Sequence, residues 1–233
     1  MPKRSRKNLN VAVVGAGGRM GKTIIGLLKR ERGLKFACGI DQSKEWPQGR
    51  QAKTVDGVIE FSSPEGLRDA LDWCVRFRKP IVAGATGLTA ADFRRLKVAS
   101  RKIPVLYSAN MSLGVAIMKA MINHFAAVPN WRYRMEETHH KKKKDKPSGT
   151  AKMLAAALAE STGKKGLPII SHRRGNVPGT HEILAEGPEE SLRISHVAHD
   201  RRIFARGAIA AARWLFDKGK PGLYDINDLY KGR

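Results

Sequence analysis

The feature that most constrains the fold is a glycine-rich turn between two apolar segments near the start of the chain. Residues 9–14 (LNVAVV) are short, apolar and rich in valine, which predicts a β-strand. Residues 15–21 (GAGGRMG) supply the turn, and residues 22–32 carry apolar side chains on one side, which predicts a helix. A strand, a glycine turn and a helix in this order open a βαβ unit, so a parallel sheet is predicted.

The first half of the chain continues to alternate between apolar runs and amphipathic segments. Ser63 followed by Pro64 is a favourable helix start, with the serine as N-cap. The polar stretch 42–53 is interpreted as a loop. The predicted strands are 34–40, 55–61, 80–83 and 105–107, and the predicted helices are 67–77 and 89–101. This alternation is typical of a doubly wound, Rossmann-type sheet.

The rhythm changes after residue 110, which indicates a second, smaller α+β domain. The expected elements are helices 112–125, 151–160 and 207–216, a strand 132–137, a polar loop 139–150 and short strand pieces 183–185 and 192–196. We expect the first domain to span 1–111, with 202–233 returning to it, and the second domain to span 112–201.

The composition restricts the class of protein without choosing a function. Lys and Arg number 44 against 21 Asp and Glu, a net charge of +23, which favours anionic ligands from polyanions to phosphorylated cofactors and dicarboxylates. Aromatic residues are only 6% and the basic residues are spread out, so the stacking platforms of a specific nucleic-acid binder are not predicted. With two cysteines and no apolar run of membrane-spanning length, we expect a cytoplasmic protein without a membrane partner.

The glycine turn is a candidate phosphate loop. Its glycines fall at Gly15, Gly18 and Gly21, because Met20 occupies the last position of the strict G-x-G-x-x-G pattern. Glycines let the backbone approach a pyrophosphate, which then lies at the positive end of the following helix. Asp41 ends the second predicted strand about 20 residues after the turn, where a carboxylate accepts hydrogen bonds from an adenosine ribose. We therefore predict dinucleotide binding.

The residues around Asp41 favour NADH as the cofactor. A carboxylate disfavours the 2′-phosphate of NADPH, and the next residue is Gln42 rather than an arginine that would pair with that phosphate. Arg19 and Lys44 could still reach a phosphate, so NADPH stays an alternative.

A second candidate site is the segment 136–151, which holds two histidines, a lysine run and a helix start. Ser148–Gly149–Thr150 precede an alanine-rich helix, whose N-terminal N–H groups and dipole can hold a carboxylate. His139 and His140 are suited to proton donation near neutral pH. A dicarboxylate held here while a nicotinamide gives hydride is a coherent site; the alternative is that Lys141–Lys144 is only a solvated charge run.

This segment contains the motif His139–His140–x–x–Lys143–x–Asp145–x–Pro147–Ser148–Gly149–Thr150–Ala151. The motif resembles the signature of the dihydrodipicolinate (4-hydroxy-tetrahydrodipicolinate) reductase family. Other segments similar to that family follow in order along nearly the whole chain, namely 15–21, 61–66 (FSSPEG), 84–87 (GATG), 108–115 (SANMSLGV), Arg173-x-Gly175, 177–180 (VPGT) and 194–196 (ISH).

The resemblance implies an NAD(P)H-dependent oxidoreductase that reduces 4-hydroxy-tetrahydrodipicolinate, a small cyclic dicarboxylate, to tetrahydrodipicolinate in diaminopimelate and lysine biosynthesis. It makes His139 the general acid/base and Lys143 the proton donor, and it assigns the substrate carboxylate to His140, Ser148, Gly149 and Thr150. The residues expected to line the cofactor are Gly15, Ala16, Gly17, Gly18, Arg19, Met20, Asp41, Gly84, Ala85, Thr86, Ser108, Ala109, Asn110 and Met111. No metal is expected.

Some residues depart from the family pattern. Lys142 or Lys144 could partly take the role of Lys143, and Ala85 stands where a threonine is commoner. The segment between the second and third strands is short for the family. Thr180 is followed directly by residues 181–183 (HEI), where relatives usually have a further strand and turn that belong to their tetramer sheet. This absence leaves the catalytic motif intact but makes the tetramer less certain, so we expect a homo-oligomer that is either a tetramer or a dimer.

Two other functions stay open on the sequence alone. Another NAD-linked dehydrogenase of amino-acid metabolism, for homoserine or aspartate, would explain the first half of the chain but not the histidine–lysine motif. A basic Rossmann-type protein that has lost turnover and binds polyanions would explain the charge, but it would have no need of that motif.

Overall fold

The structure is a computed structural model and describes residues 8–42 and 45–230. Lys44, considered above as a phosphate contact, lies outside the described residues. The chain forms two compact units, one running up to Met111 and resuming at Phe204, the other spanning Ser112–Ile203. None of the described helices is both long enough and apolar enough to cross a membrane.

The first unit is built on a parallel sheet of six strands. Its strands are β1 (Leu9–Val14), β2 (Leu34–Ile40), β3 (Gly57–Glu60), β4 (Ile81–Ala83), β5 (Pro104–Tyr107) and β10 (Gly222–Tyr224), and its helices are α1 (Arg19–Leu28), α2 (Gly49–Thr54), α3 (Pro64–Phe77), α4 (Ala90–Ser100) and α7 (Arg202–Lys218). The strand order is β10-β5-β4-β3-β1-β2, and every pairing is parallel. Strands β3 and β4 are buried throughout, as parallel strands covered on both faces require. The predicted Rossmann-type class is confirmed.

The second unit is a smaller α+β unit, as predicted. Its elements are α5 (Leu113–Ile122), a 3₁₀ turn (Asn123–Ala127), β6 (Arg132–His139), α6 (Gly149–Thr162), β7 (Ile169–Arg173), β8 (Gly179–Glu186) and β9 (Ser191–Ala198). The sheet order is β7-β6-β8-β9, with β6 parallel to β7 and antiparallel to β8, which pairs antiparallel with β9. Apolar side chains of both helices pack with those of β6 and β8 in one core.

The strand order of the first unit determines where a ligand can bind. The sheet reverses direction of growth between β1 and β3, and ligands of such sheets bind beyond the carboxyl ends of the strands at this point. Close packing there requires glycine: a Cβ on Gly15 would lie 2.6 Å from the Phe61 carbonyl oxygen, and one on Gly21 would lie 2.1 Å from that of Gly15. Gly15 also has a φ of +77°, in the left-handed region.

Several predicted boundaries in the first unit were wrong. Helix α1 begins at Arg19 rather than at residue 22, so the end of the predicted loop is helical. The stretch interpreted as a loop contains α2, which is anchored because Ala52 is fully buried in the core. Helix α7 begins at residue 202 rather than 207, since Gly207 is a packing position inside the helix: its Cβ would lie 1.6 Å from the Met111 carbonyl oxygen.

The strands of the second unit are longer than predicted. The pieces at 183–185 and 192–196 belong to two eight-residue strands, β8 and β9, and β7 was not predicted at all. Strand β8 buries His181, Ile183 and Ala185 on one face. The alternation was present in the sequence, but a histidine at one of its inward positions concealed it.

The packing of the glycine loop gives a paired test. Gly21→Ala should lower the free energy of unfolding by about 3 kcal/mol, because the new methyl group meets backbone atoms that cannot move aside. Gly26→Ala in the same helix should instead raise it by about 0.5–1 kcal/mol, since Gly26 is exposed and has no atom within 4 Å of the added Cβ. Urea unfolding of both variants measures this, and equal changes would contradict the packing argument.

Candidate functional site

All the residues predicted to line a cofactor lie in the first unit, beyond the carboxyl ends of β1, β2, β4 and β5. The phosphate loop ends at Gly18, the N-cap of α1, which has no side-chain cap, so the N–H groups of the first turn can receive an anion. Gly17 N–H donates to the Asp41 carboxylate at 2.9 and 3.2 Å. The carboxylate predicted for a ribose is therefore attached to the phosphate loop.

A cleft of about 880 Å³ opens beside this loop. Ile40 and Trp46 form an apolar part of its wall. Asp41, Glu65 and Asp69 contribute three carboxylates to the lining. No lysine or arginine is among its lining residues in the described part of the chain. The shape and lining fit an adenosine, and the carboxylates suit ribose hydroxyls better than a phosphate.

Two further turns complete this edge of the sheet. In the first, Gly84 packs against Phe61, whose ring would lie 2.4 Å from an added Cβ; Ala85 is buried and Thr86 is exposed. In the second turn, Ser108 hydroxyl donates to the Asn110 carbonyl at 2.8 Å, Ala109 is exposed and the Met111 side chain is buried in the core.

Sequence reasoning missed one buried carboxyl at this edge. Glu60, the last residue of β3, accepts hydrogen bonds from the Ser62 N–H at 2.5 Å and from the Ser62 hydroxyl at 2.6 Å. Burial raises the pKa of this carboxyl. The sequence did not single it out, because a polar residue at the end of an apolar strand is common.

The second unit contains a buried charge network on β6. His139 Nδ1–H donates to the Glu137 carboxylate, and Arg173 Nη1 donates to the same carboxylate at 2.9 Å. Burial raises the pKa of Glu137, but hydrogen bonds from its neighbours outweigh burial and leave that pKa below its usual value. Burial lowers the pKa of His139, and Glu137 only partly offsets this. His139 is therefore neutral near pH 7, with its proton on Nδ1 and an acceptor at Nε2.

The loop after β6 fixes one lysine of the run. Lys143 Nζ pairs with Asp145 at 2.8 Å and lowers the pKa of that carboxyl. Arg173 donates to the main-chain carbonyls of both residues, at 3.3 and 2.5 Å. Lys141, Lys142 and Lys144 are exposed, whereas Lys143 is half-buried. The structure thus distinguishes Lys143 from its neighbours.

The predicted carboxylate site lies at the start of α6. Ser148 is the N-cap of this helix and accepts the Ala151 N–H at 3.2 Å, and Gly149 and Thr150 form the first turn, where N–H groups point out of the helix end. The Ser148 side chain is buried, so its hydroxyl serves the helix end itself. His140 is half-buried, with its Nε2 3.3 Å from an Arg201 nitrogen.

Three residues to which the sequence analysis gave no role lie around His139. They are Glu137, Arg173 and His181. Glu137 could have been found, because residues two apart on a strand share a face. Glu137, His139 and His181 also bring potential metal-ligand atoms within 4.8 Å of one another, although Arg173 already neutralises the carboxylate.

Comparison with known proteins matches both halves of the chain to one family. The family model for the N-terminus of dihydrodipicolinate reductase matches residues 9–111, and the model for its C-terminus matches residues 114–230. The 4-hydroxy-tetrahydrodipicolinate reductase of Bdellovibrio bacteriovorus is 39% identical over 227 residues, covering 97% of this chain and 98% of that protein. The enzyme of the same name from Rickettsia bellii is 35% identical over 238 residues, covering 96% and 95%.

Solved structures agree on the fold. A dipicolinate-bound dihydrodipicolinate reductase from a Paenisporosarcina species superposes with a TM-score of 0.78 at 19% identity, covering 93% of this chain and 97% of that one. An aspartate semialdehyde dehydrogenase from Vibrio cholerae reaches 0.56 at 10% identity, covering 91% and 99%, and shares the fold alone.

The short length of this chain is shared with the Bdellovibrio relative, because their alignment of 227 residues covers 97% of this chain and 98% of that protein. In the structure Thr180 and His181 are consecutive residues of β8, both paired with β6. A further strand at this position in other relatives stays a prediction.

The buried histidines give a pH-dependent stability. Burial, with smaller contributions from His139 and His196, lowers the pKa of His181 from 6.5 to about 4. Between these values the unfolded chain binds a proton that the folded chain excludes, so stability is lost as pH falls from 6.5 towards 4. The His181→Gln variant lacks the group that takes up this proton. Between pH 6.5 and pH 4 we therefore expect its free energy of unfolding, measured in urea, to fall by about 3 kcal/mol less than that of the wild type. Parallel losses in both proteins would contradict this.

Proposed function

Because this chain belongs to the dihydrodipicolinate reductase family, we propose that its first unit binds the pyridine nucleotide and its second unit binds the dicarboxylate. The chain is an oxidoreductase that reduces 4-hydroxy-tetrahydrodipicolinate to tetrahydrodipicolinate in diaminopimelate and lysine biosynthesis. The observation that supports this division best is the His139–Glu137 pair beside a loop that fixes Lys143. His139 and Lys143 belong to the family motif, and all three residues lie in the second unit.

The first unit provides the groups that a pyridine nucleotide requires. Bound NADH or NADPH supplies the hydride. The first turn of α1, with Arg19 as its first residue, binds the pyrophosphate, and Asp41 accepts hydrogen bonds from the ribose. The turns 84–86 and 108–111 line the nicotinamide half. We propose NADH as the preferred cofactor, because the described cleft residues add Glu65 and Asp69 to Asp41 and offer no cation to a 2′-phosphate.

The second unit binds a carboxylate of the substrate at the start of α6. The N–H groups of Gly149 and Thr150 donate to the carboxylate oxygens, and the helix dipole adds to their attraction. His140 supplies a further donor from the loop. Ser148 acts through the helix end that it caps, since its own hydroxyl is buried.

The protein must also deliver a proton, because the reduced substrate gains a hydride and a proton while the 4-hydroxyl group leaves as water. Lys143, a cation held against Asp145, is the proton donor. His139, neutral and hydrogen-bonded through Nδ1, acts as acid and base at Nε2. Glu137 stabilises the imidazolium when His139 takes up a proton, as a carboxylate partner does in other acid–histidine pairs.

The assay that tests the function uses the condensation product of pyruvate and aspartate semialdehyde. The purified protein should oxidise NADH only when this compound is present, and dipicolinate, the ligand named for the Paenisporosarcina structure, should compete with it. Folded protein without turnover on either nucleotide would contradict the proposal.

We further propose that the protein acts in the cytoplasm as a homo-oligomer. Strand β9 is an edge strand of the second sheet and exposes an apolar side chain on each face, Leu192 on one and Val197 on the other, so a partner subunit could pack against this edge. Cys38 and Cys74 form no disulfide, in keeping with a reducing compartment. Light scattering distinguishes a dimer or a tetramer from a monomer, and a monomer at assay concentration would contradict this assignment.

Cofactor preference depends on Asp41. The wild type should have a higher kcat/KM for NADH than for NADPH, and Asp41→Asn should narrow the ratio about tenfold, because the charge that repels a 2′-phosphate is removed. Asp72→Asn, on α3 and outside the cleft lining, is the matched control. An unchanged ratio in the Asp41 variant would show that another group selects the cofactor.

His139→Gln should lower kcat about 10²- to 10³-fold and leave the KM for NADH within twofold of the wild type. The reason is that His139 belongs to the second unit and acts on a proton, not on the nucleotide. Steady-state kinetics with each substrate varied in turn measures both values. Equal losses in kcat and in nucleotide affinity would indicate a structural role.

Lys143→Ala should lower kcat at least about 100-fold, whereas Lys141→Ala should leave it within twofold. Of these two lysines, only Lys143 is half-buried and paired with Asp145. The exposed neighbour provides a control with the same change of charge. Similar effects of the two substitutions would mean that the loop adopts another register in turnover.

A further inference from the structure

His181 lies behind the proposed acid/base and touches the helix end proposed to bind the substrate. Its ring packs edge-to-face on the His139 ring, with centroids 5.2 Å apart, and its Nε2 lies 3.3 Å from the Ser148 hydroxyl. Only 4% of His181 is exposed, so substrate cannot reach it. His181 therefore contacts both the proposed acid/base and the proposed carboxylate-binding helix end without belonging to either.

The Ser148 hydroxyl contacts two groups at once. Its oxygen accepts the Ala151 N–H at 3.2 Å, and the same hydroxyl forms the hydrogen bond with His181 Nε2. His181 Nδ1 is buried without a hydrogen-bond partner among the described residues, so Nε2 is the nitrogen through which this ring acts. The chain Ala151 N–H to Ser148 hydroxyl to His181 Nε2 therefore fixes the rotamer of the N-cap, and with it the direction of the first N–H groups of α6.

The same arrangement occurs a second time in this unit without a proposed substrate contact. Ser112 is the N-cap of α5 and accepts the Val115 N–H at 3.3 Å, while His196 Nε2 lies 3.2 Å from its hydroxyl. His196 is the register partner of His181 on the neighbouring strand. The two pairs share their chemistry and differ in which helix they cap, so His196 is an internal control.

We propose that His181 is a positioning residue for the reaction, which holds Ser148 so that the start of α6 faces the substrate carboxylate and supports the ring of His139. The inference rests on the proposed function of the α6 helix end. Gly179 is part of the same arrangement, since a Cβ there would lie 2.9 Å from His139 Nε2 and would displace the ring. Loss of the His181 hydrogen bond should weaken substrate binding more than nucleotide binding.

Two substitutions separate the hydrogen bond from simple packing. In His181→Gln the side-chain amide reaches the position of Nε2 and can accept from Ser148, whereas in His181→Asn the amide reaches only the position of Nδ1. With the full-length protein, the Kd for dipicolinate and the KM for substrate should stay within threefold of the wild type in the glutamine variant. Both should rise about tenfold or more in the asparagine variant, with the KM for NADH unchanged.

Ser148→Ala removes this hydrogen bond together with the N-cap of α6, so it should weaken dipicolinate binding at least as much as His181→Asn. The double variant should bind no more weakly than Ser148→Ala alone, because the histidine substitution then removes nothing further. His196→Gln and His196→Asn should bind dipicolinate equally well. Circular dichroism checks that each variant is folded.

Other outcomes would overturn the proposal or its basis. Equal weakening by glutamine and asparagine, or additive effects in the double variant, would make His181 a packing residue only. Activity of the wild type that is lost on chelation and restored by Zn²⁺ would make it a metal ligand together with Glu137 and His139. A wild type that binds no dipicolinate and reduces no substrate would contradict the proposed function itself, whereas normal binding by His181→Asn would contradict only the role of His181.

Discussion

The pairing of the buried Glu137 carboxylate with Arg173 and His139 is the interaction on which the second unit depends most. An ionised carboxylate inside a sheet is costly unless it is paired and hydrogen-bonded, and here Arg173 and His139 both donate to it. Arg173 also donates to the carbonyls of Lys143 and Asp145, so the same guanidinium that compensates the buried charge holds the loop in place. The orientations of the proposed acid/base and of the proposed proton donor therefore follow from one electrostatic requirement.

In the first unit the corresponding constraint is steric. The phosphate loop lies so close to Phe61 and to α1 that no side chain fits at Gly15 or Gly21. This closeness brings the N-terminus of α1 to the carboxyl edge of the sheet, where we propose that backbone N–H groups, rather than basic side chains, receive the phosphates. The strict glycine pattern fails at Met20, yet the fold is preserved because Met20 lies in the first turn of the helix and not in the loop.

Local sequence patterns correctly predicted those elements in which all residues indicate the same kind of structure. The order of β1 to β5 with α1, α3 and α4, the Ser63–Pro64 helix start and the Asp41 position all followed from short-range chemistry, whereas α2 and β10 were missed. The failures have physical causes that a single sequence does not display. Gly207 is determined by a contact with Met111, which is distant along the chain, and strand β8 was underestimated because its inward alternation includes a buried histidine. The roles of Arg173 and His181 depend on partners that the fold brings together.

The lysine run shows how position, rather than net charge, distinguishes one side chain from its neighbours. Four consecutive lysines contribute equally to the charge of +23, but only one of them has its carbonyl bound by Arg173 and its ammonium paired with Asp145. The cleft beside the phosphate loop likewise does not follow the net charge. Its described lining is acidic although the protein as a whole is strongly basic. An excess of positive charge attracts every anion alike, so discrimination between a phosphate, a ribose and a dicarboxylate has to come from groups whose geometry the fold fixes. The two sites therefore differ in local charge although they belong to one basic chain.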